Sequence, residues 1–274
     1  MKKRIEKAKV WSDLVWSQAA LAWTKRQQDH NYRRYLAQPG ICKALSSLDL
    51  PKQPKVIDLG CAEGSETFFM AQTLKKLGYK PRVYGFDPHA KMIAKVQNII
   101  FDRGTLFNLL GKYRLLAKVD LLTSVFVLQE LPSLDNFLSE VSQALSPKGK
   151  AVFMIVHPDF GTALLKKSAL VLNKSLSSNA DWEFAAAYPI VEENAQTFFL
   201  PYFHRSLSGY IARLEKQFQV LSITSLMPSQ KILSYCQRQK ISPFYRHAGN
   251  VYWPEISNQV SSLLITVTKK EVEK

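Results

Sequence analysis

The sequence predicts an α/β fold, a doubly wound, mostly parallel sheet with helices on both faces, from three observations. From Lys55 onward short apolar strands alternate with amphipathic helices. The run Leu121 to Leu128 is almost continuously apolar, as a parallel strand covered on both faces requires. The first strand, Val56-Ile57-Asp58-Leu59, runs into the glycine turn Gly60-Cys61-Ala62-Glu63-Gly64 and then a helix. In such sheets ligands bind outside the carboxyl ends of the strands.

Taken in order, residues from about 10 to 48 predict helices broken at Pro39-Gly40, followed by the linker Leu50-Pro51-Lys52-Gln53-Pro54. After the glycine turn, Met70, Ala71, Leu74 and Leu77 form one face of a helix, with Gln72, Lys75 and Lys76 outside. Arg82 to Phe86 predicts a second strand and a helix follows from about His89. Asn98 to Phe101 is a third strand unless a longer helix absorbs it. Past the apolar run, Ser133 caps a helix whose Leu134, Phe137, Leu138, Val141, Ala144 and Leu145 recur at three and four residues. Ser146-Pro147-Lys148-Gly149 stops it and leads into the strand Lys150 to Val156.

Beyond His157 the pattern loosens. Ser206 to Phe218 predicts a helix, Gln219 to Leu226 a strand and Ser261 to Lys269 a last strand, with cap segments near 160–203 and 228–258. The chain divides into an N-terminal helical segment and linker (1–54), a core (55–156) and a sheet extension with caps (157–274). The caps are rich in aromatic residues: Trp182, Phe184, Tyr188, Phe198, Phe199, Tyr202 and Phe203, then Phe244, Tyr245, Tyr252 and Trp253. Such rings either line an acceptor pocket or form the caps' own core.

Composition sets limits. With 46% hydrophobic and 22% charged residues, the 274-residue chain is an ordinary globule, neither disordered nor fibrous. Three cysteines, Cys42, Cys61 and Cys236, make no disulfide framework or zinc pattern, so no metal is expected and the compartment is reducing. The longest clean apolar run, Ala151 to Val156, is far short of a membrane span, and Ser12, Asp13, Ser17 and Gln18 spoil a signal peptide. The cytoplasm is the expected location. A net charge of +15 favours anionic partners, nucleic acid among them, or is only a basic soluble surface. Within the first 34 residues nine basic residues oppose three acidic ones, interleaved with Trp11, Trp16 and Trp23.

The chemistry concentrates at the first two strand ends. Gly60 lets the backbone approach a ligand and Gly64 permits tight entry into the helix. Asp58, ending a buried strand, is costly unless it is paired or hydrogen-bonded. Asp87 closes the second strand 27 residues after Gly60, where a carboxylate accepts both hydroxyls of a ribose. The turn lacks a dinucleotide fingerprint, and Glu63 would repel a pyrophosphate. No GxxxxGK[ST] loop is present either. An adenosine-containing cofactor without a pyrophosphate remains.

The blocks VIDLGCAEG, VYGFDPHAKMIAKV and VDLLTSVFVLQELPSLDNFLSEVSQALSPKGKAVFMI, in that order, resemble class I S-adenosylmethionine-dependent methyltransferases over residues 55 to 156. The resemblance implies a Rossmann-like, seven-stranded sheet whose last strand, SSLLITVTK, is antiparallel, and S-adenosyl-L-methionine as cofactor. It implies that Asp58, Gly60, Cys61 and Gly64 shape the pocket for the methionine moiety and that Asp87 holds the ribose. Met92 would pack near the adenine, Asp102 would meet its amino group, and Phe126 would border the cofactor. Ala62 replaces the middle glycine, and Gln129-Glu130 stands where many members carry a histidine. The segments YRRYLAQPG, VHPDF and FHRSLSGYIARL resemble a subgroup acting on small molecules, in which the N-terminal helices and the HRSL loop close over the active site.

Methyl transfer from a sulfonium needs a nucleophile held in line with the departing sulfur, and a base only if the acceptor is protonated. Candidates for contact with the acceptor are His157, His204 and Arg205, the last suited to a carboxylate. Structural alternatives are a hydrogen bond for His157 and a helix cap at Ser206. Glu130 is a further candidate base beside His157 and His204, though it reads rather as a solvated residue at the start of a loop. Tyr32 and Arg33 reach the cofactor carboxylate or form a solvated face. The expected acceptor is a small molecule. Nucleic acid is the rival, supported only by the basic charge; Ser124-Val125-Phe126-Val127 stands where base-amine methylases carry Asn/Asp-Pro-Pro-aromatic, which disfavours that subclass. A non-catalytic binder on the same scaffold is a third possibility.

Overall fold

The computed structural model describes residues 13, 14, 16, 32–89, 98–161, 184–191, 197–239 and 260–270, with backbone alone for 184–191 and 197–200. Its centre is a seven-stranded sheet of β1 (Lys55–Leu59), β2 (Arg82–Asp87), β3 (Ile99–Arg103), β4 (Val119–Val125), β5 (Leu145–Val156), β8 (Phe218–Leu226) and β9 (Ser262–Lys269), in the order β3-β2-β1-β4-β5-β9-β8. β1 to β5 pair in parallel, and β9 runs antiparallel to both β5 and β8. A separate antiparallel ribbon joins β6 (Phe184–Val191) to β7 (Thr197–His204).

Period-two alternation along the strands feeds two cores. Val56, Val83, Leu121, Val152 and Met154 face α1 (Gln38–Ser46) and α2 (Ser65–Lys76). Ile57, Tyr84, Leu122, Phe153 and Ile155 face α3 (Leu106–Tyr113), α4 (Leu134–Ala144) and α5 (Leu207–Leu214). Both faces of the central strands are therefore buried, which is why their sequences are nearly all apolar.

Several local expectations are corrected. No break occurs at Pro39-Gly40: a π turn over Arg33–Ala37 passes directly into α1. Pro39 has no N–H to close an α turn, and the N–H of Gln38 instead reaches back five residues to Arg33 O. Leu77 lies just past α2 and is 41% exposed, so the apolar face ends at Leu74. β4 runs from Val119 and stops at Val125, because Phe126 takes a left-handed φ of 59° and a 3-10 turn follows at Leu128–Glu130. Ser133 precedes α4 as its cap residue, yet its side chain makes no capping bond. Strand pairing resumes earlier than expected: Leu145 pairs with Val119 and Lys150 with Leu121, leaving Ser146–Gly149 as a bulge. The helix after Ser206 ends at Leu214, and the β6–β7 ribbon occupies part of the first cap segment.

The second cap segment contains α6 (Gln230–Gln239). The helix expected from about His89, with Met92, and the cap residues Trp182, Phe244, Tyr245, Tyr252 and Trp253 lie outside the described residues. Among the described residues no helix is long and apolar enough to cross a membrane, and no cluster of His, Cys, Asp or Glu could hold a metal ion.

Candidate functional site

The turn after β1 is built from left-handed residues, with φ of 72° at Gly60, 46° at Ala62 and 88° at Gly64. Main-chain bonds lace it to the end of β2, with Gly60 N–H donating to Phe86 O at 2.8 Å and Cys61 N–H to the same oxygen at 3.3 Å, while Gly64 N–H closes the turn on Cys61 O at 2.8 Å. A Cβ on Gly60 would lie 2.2 Å from a methyl of Val127, so the close approach that demands glycine comes from the loop after β4 rather than from a ligand. Gly64 is the left-handed N-cap of α2. The left-handed backbone of Ala62 costs about 1–2 kcal/mol, a strain a glycine at this position would avoid. Cys61 is buried against Gly85, and burial raises its thiol well above its ordinary range, so the thiol stays neutral.

Asp58 faces inward and is 2% exposed. Thr67, in the first turn of α2, donates to its Oδ2 at 2.6 Å, and Thr123 on β4 lies 3.0 Å from Oδ1. The Thr123 hydroxyl is also 3.3 Å from Ile57 O. One hydroxyl proton cannot serve both acceptors fully, so both contacts are best satisfied when Asp58 itself carries a proton and donates to Thr123. Burial, opposed by the two hydroxyls, pushes the Asp58 carboxyl up to about 7. Asp58 thus ties β1, α2 and β4 together beneath the turn.

Asp87 ends β2 and accepts from Ala62 N–H at 3.0 Å and His89 N–H at 2.8 Å. A carboxylate offers about four acceptor sites, so these bonds are compatible with accepting hydroxyls as well. Asp102, on β3, accepts from Lys112 Nζ at 2.5 Å, Tyr113 OH at 2.7 Å and Arg103 N–H at 2.8 Å. The bond from Lys112 holds its carboxyl below the usual range. Phe126 meets Tyr32 edge-on at 5.0 Å, and Gln129 donates to Phe126 O at 2.5 Å.

The N-terminal segment closes on this turn through charge. Arg33 pairs with Glu63, and its Nε lies 3.3 Å from Glu66 Oε1. Burial drives Glu66 up to about 7 against the pull of Arg33. Arg33 is therefore neither on a solvated face nor an idle cation, and Glu63 Oε2 is buried without a hydrogen-bond partner among the described residues.

The loop after β4 forms the other wall. Arg205, at the junction of β7 and α5, is 2% exposed and donates to Leu128 O at 3.3 Å, Phe203 O at 3.2 Å and Leu131 O at 2.6 Å. Its guanidinium holds the ribbon to the turn carrying Gln129 and Glu130, whereas contact with an acceptor was expected. Glu130 is partly buried, not solvated; burial and the charge of Asp87 push its carboxyl well above the ordinary range. His204 ends β7, buried beside the Tyr202 ring at 6.2 Å. His157 follows β5, and its Nδ1 accepts from Asp159 N–H at 3.2 Å. The proton of the neutral ring is then on Nε2, which can donate but not accept. The sequence does not single out Thr67, Thr123 or Val127 as site residues; only their contacts in space with Asp58 and Gly60 reveal them.

Residues 29–204, well over half the chain, match a family described as a methyltransferase domain. No curated protein sequence matches the chain. Among solved structures, a proposed S-adenosylmethionine-dependent methyltransferase from Listeria monocytogenes is 19% identical with a TM-score of 0.56, over 86% of this chain and 99% of its own. The proposed methyltransferase in complex with the Haloferax volcanii Trm112 activator is 12% identical with a TM-score of 0.60, over 92% and 96%. The 1,6-didemethyltoxoflavin-N1-methyltransferase of Burkholderia thailandensis is 12% identical with a TM-score of 0.51, over 94% and 89%.

Proposed function

We propose a small-molecule acceptor for this chain, which belongs to the methyltransferase-domain family and takes its methyl group from S-adenosylmethionine. The observation that carries the proposal is the charge of the crevice. The carboxyl edge of the sheet gathers the carboxylates of Glu63, Asp87 and Asp102, an acidic lining that disfavours a phosphodiester backbone. The crevice is also walled by Tyr32 and Arg33 on one side and by the Arg205-held ribbon on the other. The Burkholderia neighbour, solved with 1,6-didemethyltoxoflavin, acts on a compact acceptor in the same fold.

The residues present fit the cofactor. Asp87 would accept the ribose hydroxyls from the position where it already accepts two main-chain N–H groups. The buried, unpartnered Oε2 of Glu63 would accept an ammonium. Asp58, Gly60, Cys61 and Gly64 would form the floor, with Phe126, Met92 and Asp102 toward the base. When bound, the cofactor supplies a methyl group already activated by positive sulfur.

What remains for the protein is alignment and exclusion of water. Phe126 and Tyr32 shut the crevice from solvent. Glu130, whose carboxyl burial and the charge of Asp87 hold well above its ordinary range, and His157 through Nε2 would hydrogen-bond the acceptor and orient it. His204 would take a proton from an acceptor that carries one. Arg205 would act through the Leu128–Leu131 turn as a positioning residue.

The test is transfer of label from S-adenosylmethionine into fractionated cell extract. Label in the low-molecular-weight fraction is expected, and label confined to RNA or DNA would overturn the small-molecule acceptor.

A further inference from the structure

The charge surplus is not spread evenly. Where the carboxyl edge is acidic, the opposite edge, formed by strand amino ends and helix carboxyl ends, is basic. Lys52 and Lys80 stand exposed before β1 and β2, and Arg82 is exposed at the first position of β2: Lys80 N–H donates to Lys52 O at 2.9 Å, and β1 and β2 align Lys55 with Arg82. Lys75 and Lys76 close α2 beside them. On the other side of the sheet Arg114 and Lys118 are exposed in the connection from α3 to β4, and Lys148 is exposed on the bulge of β5. Among the described residues three carboxylates interrupt the field, one of them Glu215, exposed at the carboxyl end of α5. Asp49 is exposed, and Asp120 accepts from Lys55 N–H. Lysines at helix carboxyl ends complement the helix dipole, which accounts for Lys75 and Lys76 but not for Lys52, Lys80 or Lys148.

Two exposed leucines sit among these cations at the connecting turns: Leu77, 41% exposed, directly after Lys75 and Lys76, and Leu116, 56% exposed, between Arg114 and Lys118. A leucine at a turn tip flanked by basic residues pays to stay in water and gains by entering the boundary between lipid headgroups and acyl chains.

We propose that this amino edge is a docking surface for an anionic lipid membrane, with the lysines at headgroup level and Leu77 and Leu116 entering the interface. Among the described residues the chemistry favours lipid over nucleic acid. The edge carries no exposed aromatic ring on which a base could stack: Tyr79 is half-buried and donates to Leu48 O at 3.2 Å. Its cations are mostly lysines, hydrated point charges rather than planar forks, and the Arg82 guanidinium lies over the Tyr84 ring at 5.5 Å. Docked in this way, the catalytic crevice faces away from the bilayer, so the surface anchors the enzyme and does not feed it.

Co-sedimentation of the full chain with phosphatidylcholine vesicles, with and without phosphatidylserine, tests the proposal. Binding is expected only with phosphatidylserine present, weakening as salt is raised. The variant Lys52→Glu/Lys75→Glu/Lys76→Glu/Lys80→Glu should lose at least about thirty-fold in partitioning. Leu77→Ser/Leu116→Ser keeps every charge and should lose about threefold or more. Calorimetric titration with S-adenosylmethionine should be unchanged in both variants, which shows that they are folded. Equal binding to both vesicle types, no binding, or full binding by the serine pair would overturn the proposal. So would tighter binding to single-stranded RNA than to phosphatidylserine vesicles, which would make the face a nucleic-acid surface.

Discussion

At the carboxyl edge of the sheet most acidic groups have a partner that fixes them: Asp58 has Thr67 and Thr123, Glu63 and Glu66 have Arg33, Asp87 has the N–H groups of Ala62 and His89, and Asp102 has Lys112 and Tyr113. At the amino edge Lys52, Lys75, Lys76 and Lys80 stand exposed in water. Buried carboxyls store free energy that depends on pH and geometry, whereas exposed ammonium groups contribute a field and almost no stability. The net charge of +15 thus conceals two surfaces with opposite tasks.

The largest expected contrast is in pH dependence. Asp58 and Glu66 are both raised to about 7 by burial. Between about pH 4, their unfolded range, and about pH 7 the native chain holds protons that the unfolded chain has released. Their contribution is therefore full below about pH 4, is lost as pH rises through about 7, and is level beyond. Asp58 alone accounts for up to about 4 kcal/mol. Urea unfolding across this range should show stability from these groups falling, and Asp58→Asn should flatten the slope. An unchanged slope in that variant would detach the effect from Asp58.

Next is Gly60→Ala, expected to destabilise by about 3 kcal/mol or more, because the added methyl meets Val127 and the residue is left-handed. Denaturation midpoints measure it, and a loss under 1 kcal/mol would mean that the Val127 loop yields freely. Asp87→Ala should weaken S-adenosylmethionine binding by about 1.5–3 kcal/mol in a folded protein, read by titration calorimetry. An unaltered affinity would remove Asp87 from the ribose. Ala62→Gly should stabilise by about 1 kcal/mol, since the φ of 46° is relieved, less the entropy glycine adds to the unfolded chain. Smallest of all, Lys52→Glu at the other edge should shift stability by no more than about 0.5 kcal/mol. A larger loss there would show that the amino edge is built as tightly as the carboxyl edge.

Much of this was legible in the chain. The strands β1, β2, β8 and β9 fall within a residue or so of the predicted spans, because apolar runs bounded by turn residues leave few alternatives. Gly64 and Asp87 could be placed at strand and helix ends for the same reason. Less legible were events that depend on a neighbour far along the chain. The early end of β4 follows from the left-handed turn at Phe126, whose N–H is bound to Met154 O. The role of Arg205 follows from carbonyls more than seventy residues away. A charged residue in a motif looks the same in sequence whether it reaches a ligand or a backbone, and only burial separates the two.

The sequence by itself determined the alternation of strands and helices, the glycine turn and its carboxylates, since these follow from periodicity and from backbone conformations that few residues adopt. Tertiary structure alone decided which charges are spent inside and which are left in water. Desolvation depends on what packs against a group, and a linear chain does not record its neighbours in space. Asp58 became a buried strut and Arg205 a clamp, while the lysines of the amino edge were left facing solvent.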